Sequence, residues 1–229
     1  DTDRAQLEPH LARLIEALPA GDGKLATWTP AYRSVHEGLT LPAQVNYVGK
    51  GMNLYDAGYT LHGSVGVITR TLRNGYLWDR VRVQGVAYGA FCSFDHFSGL
   101  VSFGSYRDPN LADTLAVYDG AGDYLKGLEL NDDELTKGII GAIGELDAYQ
   151  LPDAKGYTSM VRNLIGVDDD YRQKMRDEVL ATTAKDFRVF GEAISALAGS
   201  GRVVVLGSKD GIEAANLERE EVLEVVPVL

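Results

Sequence analysis

Arg82 and Tyr88 are the residues of this sequence best suited to act on a substrate. A guanidinium can hold a peptide carbonyl or a carboxylate through directed donors. A tyrosine hydroxyl can donate to an oxygen that gains charge in a tetrahedral intermediate. Both lie in an aromatic and basic block from Tyr76 to Asn110, YLWDRVRVQGVAYGAFCSFDHFSGLVSFGSYRDPN. Read as a helix end running into a β-hairpin, the block places Arg82, Tyr88, Tyr106 and Arg107 near one sheet. A plainer reading stands beside this one: Tyr88 simply alternates within a strand, and Arg82 pairs with a surface acid such as Asp79. In Tyr106-Arg107-Asp108-Pro109, Asp108 either accepts from Arg107 or caps the following helix, and Pro109 restricts the backbone before it. No nucleophile, metal cluster or phosphate loop accompanies the block. It therefore reads as a partner surface for a reaction centred elsewhere.

Other candidate chemistry is weaker. His10, His36, His62 and His96 are scattered, and neither HExxH nor HxxEH occurs. A zinc site needs three or four good ligands, so no metal is expected on this chain. His96 reads as a solvated turn residue. The glycines at 85, 89 and 99, or at 138, 141 and 144, lack the strand-to-helix setting of a phosphate cradle. Gly207-Ser208-Lys209-Asp210-Gly211 follows a strand but reads as a tight turn. The acidic runs Asp132-Asp133-Glu134 and Asp168-Asp169-Asp170 sit at predicted helix starts, where they favour the macrodipole.

The 229 residues carry 45% hydrophobic and 24% charged side chains, enough to fill a core of ordinary size. A net charge of -11 argues against long nucleic acid as a partner, which needs a concentrated basic surface. The charge otherwise reads as plain solubility. The single cysteine, Cys92, excludes an internal disulfide and reads as a buried thiol. No apolar run approaches a membrane span. The sequence opens at Asp1 in a helical pattern with no initiator Met, which suits processing or a piece of something longer.

The elements that must position the block follow from periodicity. Leu7, Leu11, Leu14, Ile15 and Leu18 have helical spacing, ended by Pro19 and Gly21-Asp22-Gly23. Residues 24 to 41 read as mostly extended. Ala43, Val45 and Tyr47 alternate as a strand that Gly49 and Gly51 close. Tyr59 through Leu77 read as a helix, and 84 to 94 and 99 to 106 as paired strands. Asn110 with Asp113, Asn131 with Glu134, and Thr183 with Asp186 read as helix caps. Gly138, Gly141 and Gly144 imply close helix packing. Asp147 to Lys155 read as a turn, with helices over about 156 to 165 and 168 to 180 and a last one reaching Leu197. Val203 to Leu206 read as a buried strand and 221 to 228 as an edge or return strand. Strands, helices and strands again predict an α+β two-layer sandwich, with a mixed, largely antiparallel sheet against helices. Residues 1–23 read as helix and linker from a preceding domain, and 24–229 as the domain itself.

Long strings then carry a resemblance: LPAQVNYVGKG, LWDRVRV with GVAYGAF, SYRDPNLADTLAVYDGAGDYL, and LTKGIIGAIGELDAYQLPDAKGY. The chain resembles the presequence proteases, the long-chain branch of the pitrilysin or insulinase-like zinc peptidases, over about Leu41 to Phe190. The match falls in the last of four related domains. The resemblance implies a protease whose two halves close around a chamber and degrade short unfolded peptides, targeting peptides included. Zinc is then expected on an N-terminal domain outside this chain, and that N-terminal half is the expected partner. Arg82 and Tyr88 match the arginine and tyrosine that reach across to substrate, with Tyr88 also supporting the transition state. The implied location is mitochondrial matrix or plastid stroma for a eukaryotic protein, and cytoplasm for a bacterial one. On this reading the isolated chain is inactive. The alternative is a non-catalytic binding or assembly subunit of a related heterodimeric protease.

Overall fold

The computed structural model describes residues 2–21, 23–24, 26–29 and 36–228. The chain divides into two compact units, Asp1–Arg33 and Ser34–Leu229. The first holds α1 (Thr2–Ala17), which carries the predicted leucine spacing. The second holds a six-stranded sheet with order β3-β4-β2-β5-β1-β6. Its strands are β1 (His36–Thr40), β2 (Asn46–Asn53), β3 (Gly89–Phe94), β4 (Leu100–Asp108), β5 (Arg202–Gly207) and β6 (Glu224–Pro227). β2 pairs antiparallel with β4 and β5, and β3 antiparallel with β4; β1 runs parallel to β5 and β6. The sheet is therefore mixed, and it packs on helices as the element order predicts.

One face of the sheet is the core. Val48, Cys92, Val101, Phe103, Val203 and Val205 point into it and are buried. They meet α2 (Val65–Thr71), which continues as a π-helix over Leu72–Gln84, then α3 (Ala112–Asp119), α4 (Ala121–Gly127) and α8 (Ala184–Ile194). Tyr118 of α3 lies 5.4 Å from Phe103, ring to ring, and its hydroxyl donates to the Val48 carbonyl. α4 and α8 cross at Gly122, where a side chain would meet the Gly191 carbonyl at 2.8 Å. The remaining helices are α5 (Asp132–Leu146), α6 (Pro152–Leu164), α7 (Asp169–Leu180), α9 (Leu197–Ser200) and α10 (Lys209–Asn216). A cation enters the core: Lys50 of β2 is buried and donates to Asp119 at 2.5 Å and to the Ala198 carbonyl. Burial raises the Asp119 carboxyl pKa, and the Lys50 ammonium opposes that rise.

Several sequence expectations need correction. Gly49 and Gly51 do not close β2; they lie inside it, because a side chain on Gly51 would meet the Val101 carbonyl of β4 at 2.8 Å. The helix read over Tyr59–Leu77 begins at Val65 and runs to Gln84, and β3 starts only at Gly89. Tyr59 and Leu61 pack on the core from a turn region, so their apolar pattern continues a helix that has not yet begun. Within the π-helix, Leu72 and Leu77 are buried, as are Tyr76 and Val81, each pair five residues apart. That spacing suits i→i+5 winding. β5 is buried on one face only, since Val204 is 44% exposed between buried Val203 and Val205.

The caps divide. Asn131–Glu134 and Thr183–Asp186 form capping boxes. Asn110–Asp113 does not: Leu111 is the N-cap and no side chain caps α3. The last long helix stops at Ile194, and α6 starts at Pro152, inside the stretch read as a turn. Gly138 and Gly141 pack against Val67 and Arg70, whereas Gly144 faces open space. The turn at 207–211 is also a helix start, because Ser208 caps α10 by accepting from the Gly211 amide. The part of 24–41 read as extended forms β1 at its end; residues 30–35 lie outside the described residues.

Candidate functional site

The π-helix delivers Arg82 in its last turn, and Gly85 ends it by donating to the Arg80 carbonyl. Four residues later the chain enters β3. The turn between them is tight: Val86 has φ 61, which a β-branched residue rarely adopts. This reversal folds Tyr88 back onto the helix end. Arg82 Nε donates to the Tyr88 carbonyl at 3.0 Å. The Arg82 guanidinium also lies 4.1 Å from the Trp78 ring centre, a cation–π contact one turn back on the same helix. The expected pairing of Arg82 with Asp79 is absent from the described contacts, because Trp78 and the Tyr88 carbonyl take the guanidinium instead.

Tyr88 lies one residue ahead of β3, not within an alternating strand, and is 60% exposed. Its amide donates to the Arg107 carbonyl. Its ring stands 5.3 Å from that of Tyr106, and the Arg107 guanidinium lies 5.8 Å over it. Arg107 itself has φ 49. The four residues named from the sequence thus meet at one corner of the sheet, and Trp78 joins them. Sequence reasoning missed Trp78, although its place four residues before Arg82 puts the two on one helix face.

A buried frame holds this corner. Asp108 is 0% exposed and neither pairs with Arg107 nor caps α3 at its N-cap. Its carboxylate accepts from Ser105 Oγ at 2.6 Å, Thr114 Oγ1 at 2.8 Å and the Asn110 amide at 2.9 Å. Asn110 Nδ2 donates to the Gly85 carbonyl at 2.5 Å, which ties the end of the π-helix to the end of β4. Asn46 Nδ2 donates to the Asp108 carbonyl. Asn110 is thus drawn away from capping duty by a partner twenty-five residues upstream.

The open face of the sheet continues the corner. The Phe91 ring covers Gly104 and the Tyr106 ring covers Gly89, where any side chain would collide with the ring. Tyr47, Phe91 and Tyr106 are 41%, 46% and 38% exposed. The result is an aromatic surface with two guanidinium groups at its edge. A cavity of ≈ 910 Å³ lies elsewhere, between α5, α6, α7 and the β3–β4 turn. It touches neither Arg82 nor Tyr88, and its Arg176 and Asp147 pair with each other.

The histidines do other work. His36 Nδ1 accepts from the Val203 amide while Nε2 meets Glu221 at 2.9 Å. His62 pairs with Ser64. His96 is not the solvated turn residue expected: it is half-buried beside Phe94, its carbonyl accepts from Tyr55, and burial lowers its pKa. Among the described residues no group of three or more His, Cys, Asp or Glu is placed to hold a metal ion. These residues do not fit a zinc site, and no chemical step is assigned to zinc on this chain. No helix among the described residues is long and apolar enough to cross a membrane.

The mixed six-stranded sheet with helices packed on it is an α+β two-layer sandwich, a fold shared with solved pitrilysin at a TM-score of 0.54, 13% identity, and coverage of 84% of this chain and 22% of that one. The chain belongs to the family described as PreP C-terminal domain, which matches residues 36–209. It is 49% identical over 224 residues, 97% of the chain, to presequence protease 1, chloroplastic/mitochondrial, of Arabidopsis thaliana. It is 34% identical over 178 residues, 78% of the chain, to protein HypA of Clostridium perfringens. The chain spans 21% and 18% of those two proteins. A solved peptidase M16 inactive domain from Pseudomonas fluorescens shares the fold, with a TM-score of 0.62, 17% identity, and coverage of 90% of this chain and 51% of that one.

Proposed function

We propose that this chain is the closing wall of a zinc metallopeptidase that degrades short unfolded peptides, such as cleaved targeting peptides. The observation that carries the reading is the meeting of Arg82 and Tyr88 at the exposed end of an aromatic sheet face. Arg82 Nε is held by the Tyr88 carbonyl, so its two terminal nitrogens are left to hold a substrate carbonyl. The Tyr88 hydroxyl donates to the oxygen that gains charge as the peptide carbonyl is attacked. The attacking group and its zinc belong to the N-terminal half of the same protein, which is the partner of this wall. A zinc ion held there would supply the polarisation of the carbonyl and the activation of water. The names of the presequence proteases favour a mitochondrial or plastid location, and a bacterial carrier of this domain would act in the cytoplasm.

Peptide cleavage by the full-length protein tests this reading. With zinc content held equal, Tyr88→Phe should lower kcat by about a hundredfold, the loss typical of one oxyanion donor. Arg82→Ala should raise KM as well. Unchanged kinetics in both variants would reject the wall. The runner-up, a non-catalytic assembly subunit, draws support from the inactive M16 domain that shares the fold. It predicts that the full-length carrier cleaves no peptide whatever its zinc content.

A further inference from the structure

Arg82 has a second cation beside it that the proposed wall does not use. Arg107 is exposed, has no carboxylate partner among the described residues, and makes one described contact through its guanidinium, the ring of Tyr88. Arg82 likewise meets no carboxylate; its described contacts are Trp78 and the Tyr88 carbonyl. Other exposed cations divide: Lys126, Lys137 and Arg172 each find an acid, whereas Arg80, Lys155, Lys185 and Arg188 make no ion pair among the described residues, so what sets Arg82 and Arg107 apart is their shared neighbour, Tyr88. Both guanidinium groups converge on Tyr88, one through its carbonyl and one through its ring. Arg82 lies over the Trp78 ring and Arg107 over the Tyr88 ring, each close enough for a cation–π contact. A planar fork with free edges matches a carboxylate in two-point contact.

The backbone keeps this arrangement at a cost. Arg107 adopts φ 49, a conformation that a non-glycine residue holds only when its surroundings impose it. The buried Asp108 next to it, bound by Ser105, Thr114 and Asn110, supplies that imposition. We propose that Arg82 and Arg107 together form a carboxylate-binding subsite at the edge of the wall, with Arg107 the residue that selects peptides bearing a carboxylate near the scissile bond. This rests on the wall reading and adds a specificity to it. The carboxylate is either the C-terminus of the peptide or an aspartate or glutamate side chain within it.

The test uses the full-length protein and two pairs of length-matched peptides. One pair differs only in a free or amidated C-terminus. The other is amidated in both members and differs by a single Asp or Asn near the cleaved bond. Wild type should favour the acid member of one pair by about tenfold in kcat/KM, carried by KM, as a charge-assisted contact would give. The favoured pair identifies the source of the carboxylate. Arg107→Asn should bring that ratio to about one; asparagine tolerates positive φ, so folding is spared. Arg107→Lys keeps the charge without the fork and should give an intermediate ratio. A ratio near one for both pairs in wild type, or a ratio that survives Arg107→Asn, overturns the subsite. If Arg107→Asn does not fold, Arg107→Gly, which removes the conformational cost, gives the same readout. The wall reading fails separately: Tyr88→Phe and Arg82→Ala would then leave cleavage of the uncharged peptides unaltered.

Discussion

The two faces of the sheet obey different rules. On the inner face, Phe103, Val101 and Cys92 interlock with α3 and the π-helix, and each change of volume is felt by neighbours on all sides. On the outer face, Phe91 and Tyr106 lie over glycines and keep much of their surface in solvent. The inner face tells the chain how to fold; the outer one is the face that the proposed wall would turn to a peptide. Large aromatic residues occur on both, so residue type alone does not separate them. What separates them is what each ring rests on: Phe103 packs against Tyr118 of α3, whereas Phe91 covers the bare backbone of Gly104.

Truncation should expose this asymmetry most strongly at Phe103. Phe103→Ala should cost about 3–5 kcal/mol in urea unfolding of the chain, the range for a buried aromatic cavity. Next in size is Tyr88→Phe, which removes a hydroxyl at a 60% exposed position. It should cost roughly 3 kcal/mol of transition-state stabilisation in the full-length enzyme, yet leave unfolding within about 0.5 kcal/mol. A Tyr88→Phe protein that unfolds early would show that the outer face is structural after all. Phe91→Ala should cost only about 1 kcal/mol, since half of the ring is already in water. A loss equal to that of Phe103→Ala would collapse the distinction between the faces.

The smallest expected effect is chemical. Burial pushes the Cys92 thiol up to about 12. A thiol raised in the folded state contributes stability below its ordinary value, about 8.5, and that contribution fades as pH rises toward the folded value. Alkylation at about pH 8 should therefore be slow in the native chain and fast in denaturant. Fast native labelling would mean that the inner face opens near β3.

Local signals in the sequence survived the fold well. The Asn131–Glu134 and Thr183–Asp186 boxes form because each is closed by residues three apart, with no distant competitor. Asn110 offered a similar local signal and lost it, because the Gly85 carbonyl at the end of the π-helix needed a donor. Gly49 and Gly51 were misread for the same reason: what they accommodate lies on neighbouring strands, invisible to a linear reading. The π-helix escaped because its apolar spacing of five matches neither of the periods sought. As for the site, the types of Arg82 and Tyr88 were legible, and their proposed roles came from the family resemblance. The geometry that joins them depends on the turn at Val86, whose backbone conformation valine does not advertise.

That turn has a consequence for anyone seeking a hardier version of this protein. Val86 and Arg107, the two non-glycine residues at positive φ among those described, would head a ranking of positions to relax. Glycine at either would release about 1–3 kcal/mol of backbone strain, less the cost of a floppier unfolded chain. Both changes would register as gains in a melting-temperature screen. Both would also loosen the hinge that presses Tyr88 against Arg82. If the proposed wall holds, selection for heat resistance alone would thus drift toward a domain that melts later and grips a peptide less well, a trade between durability and activity confined to two backbone angles.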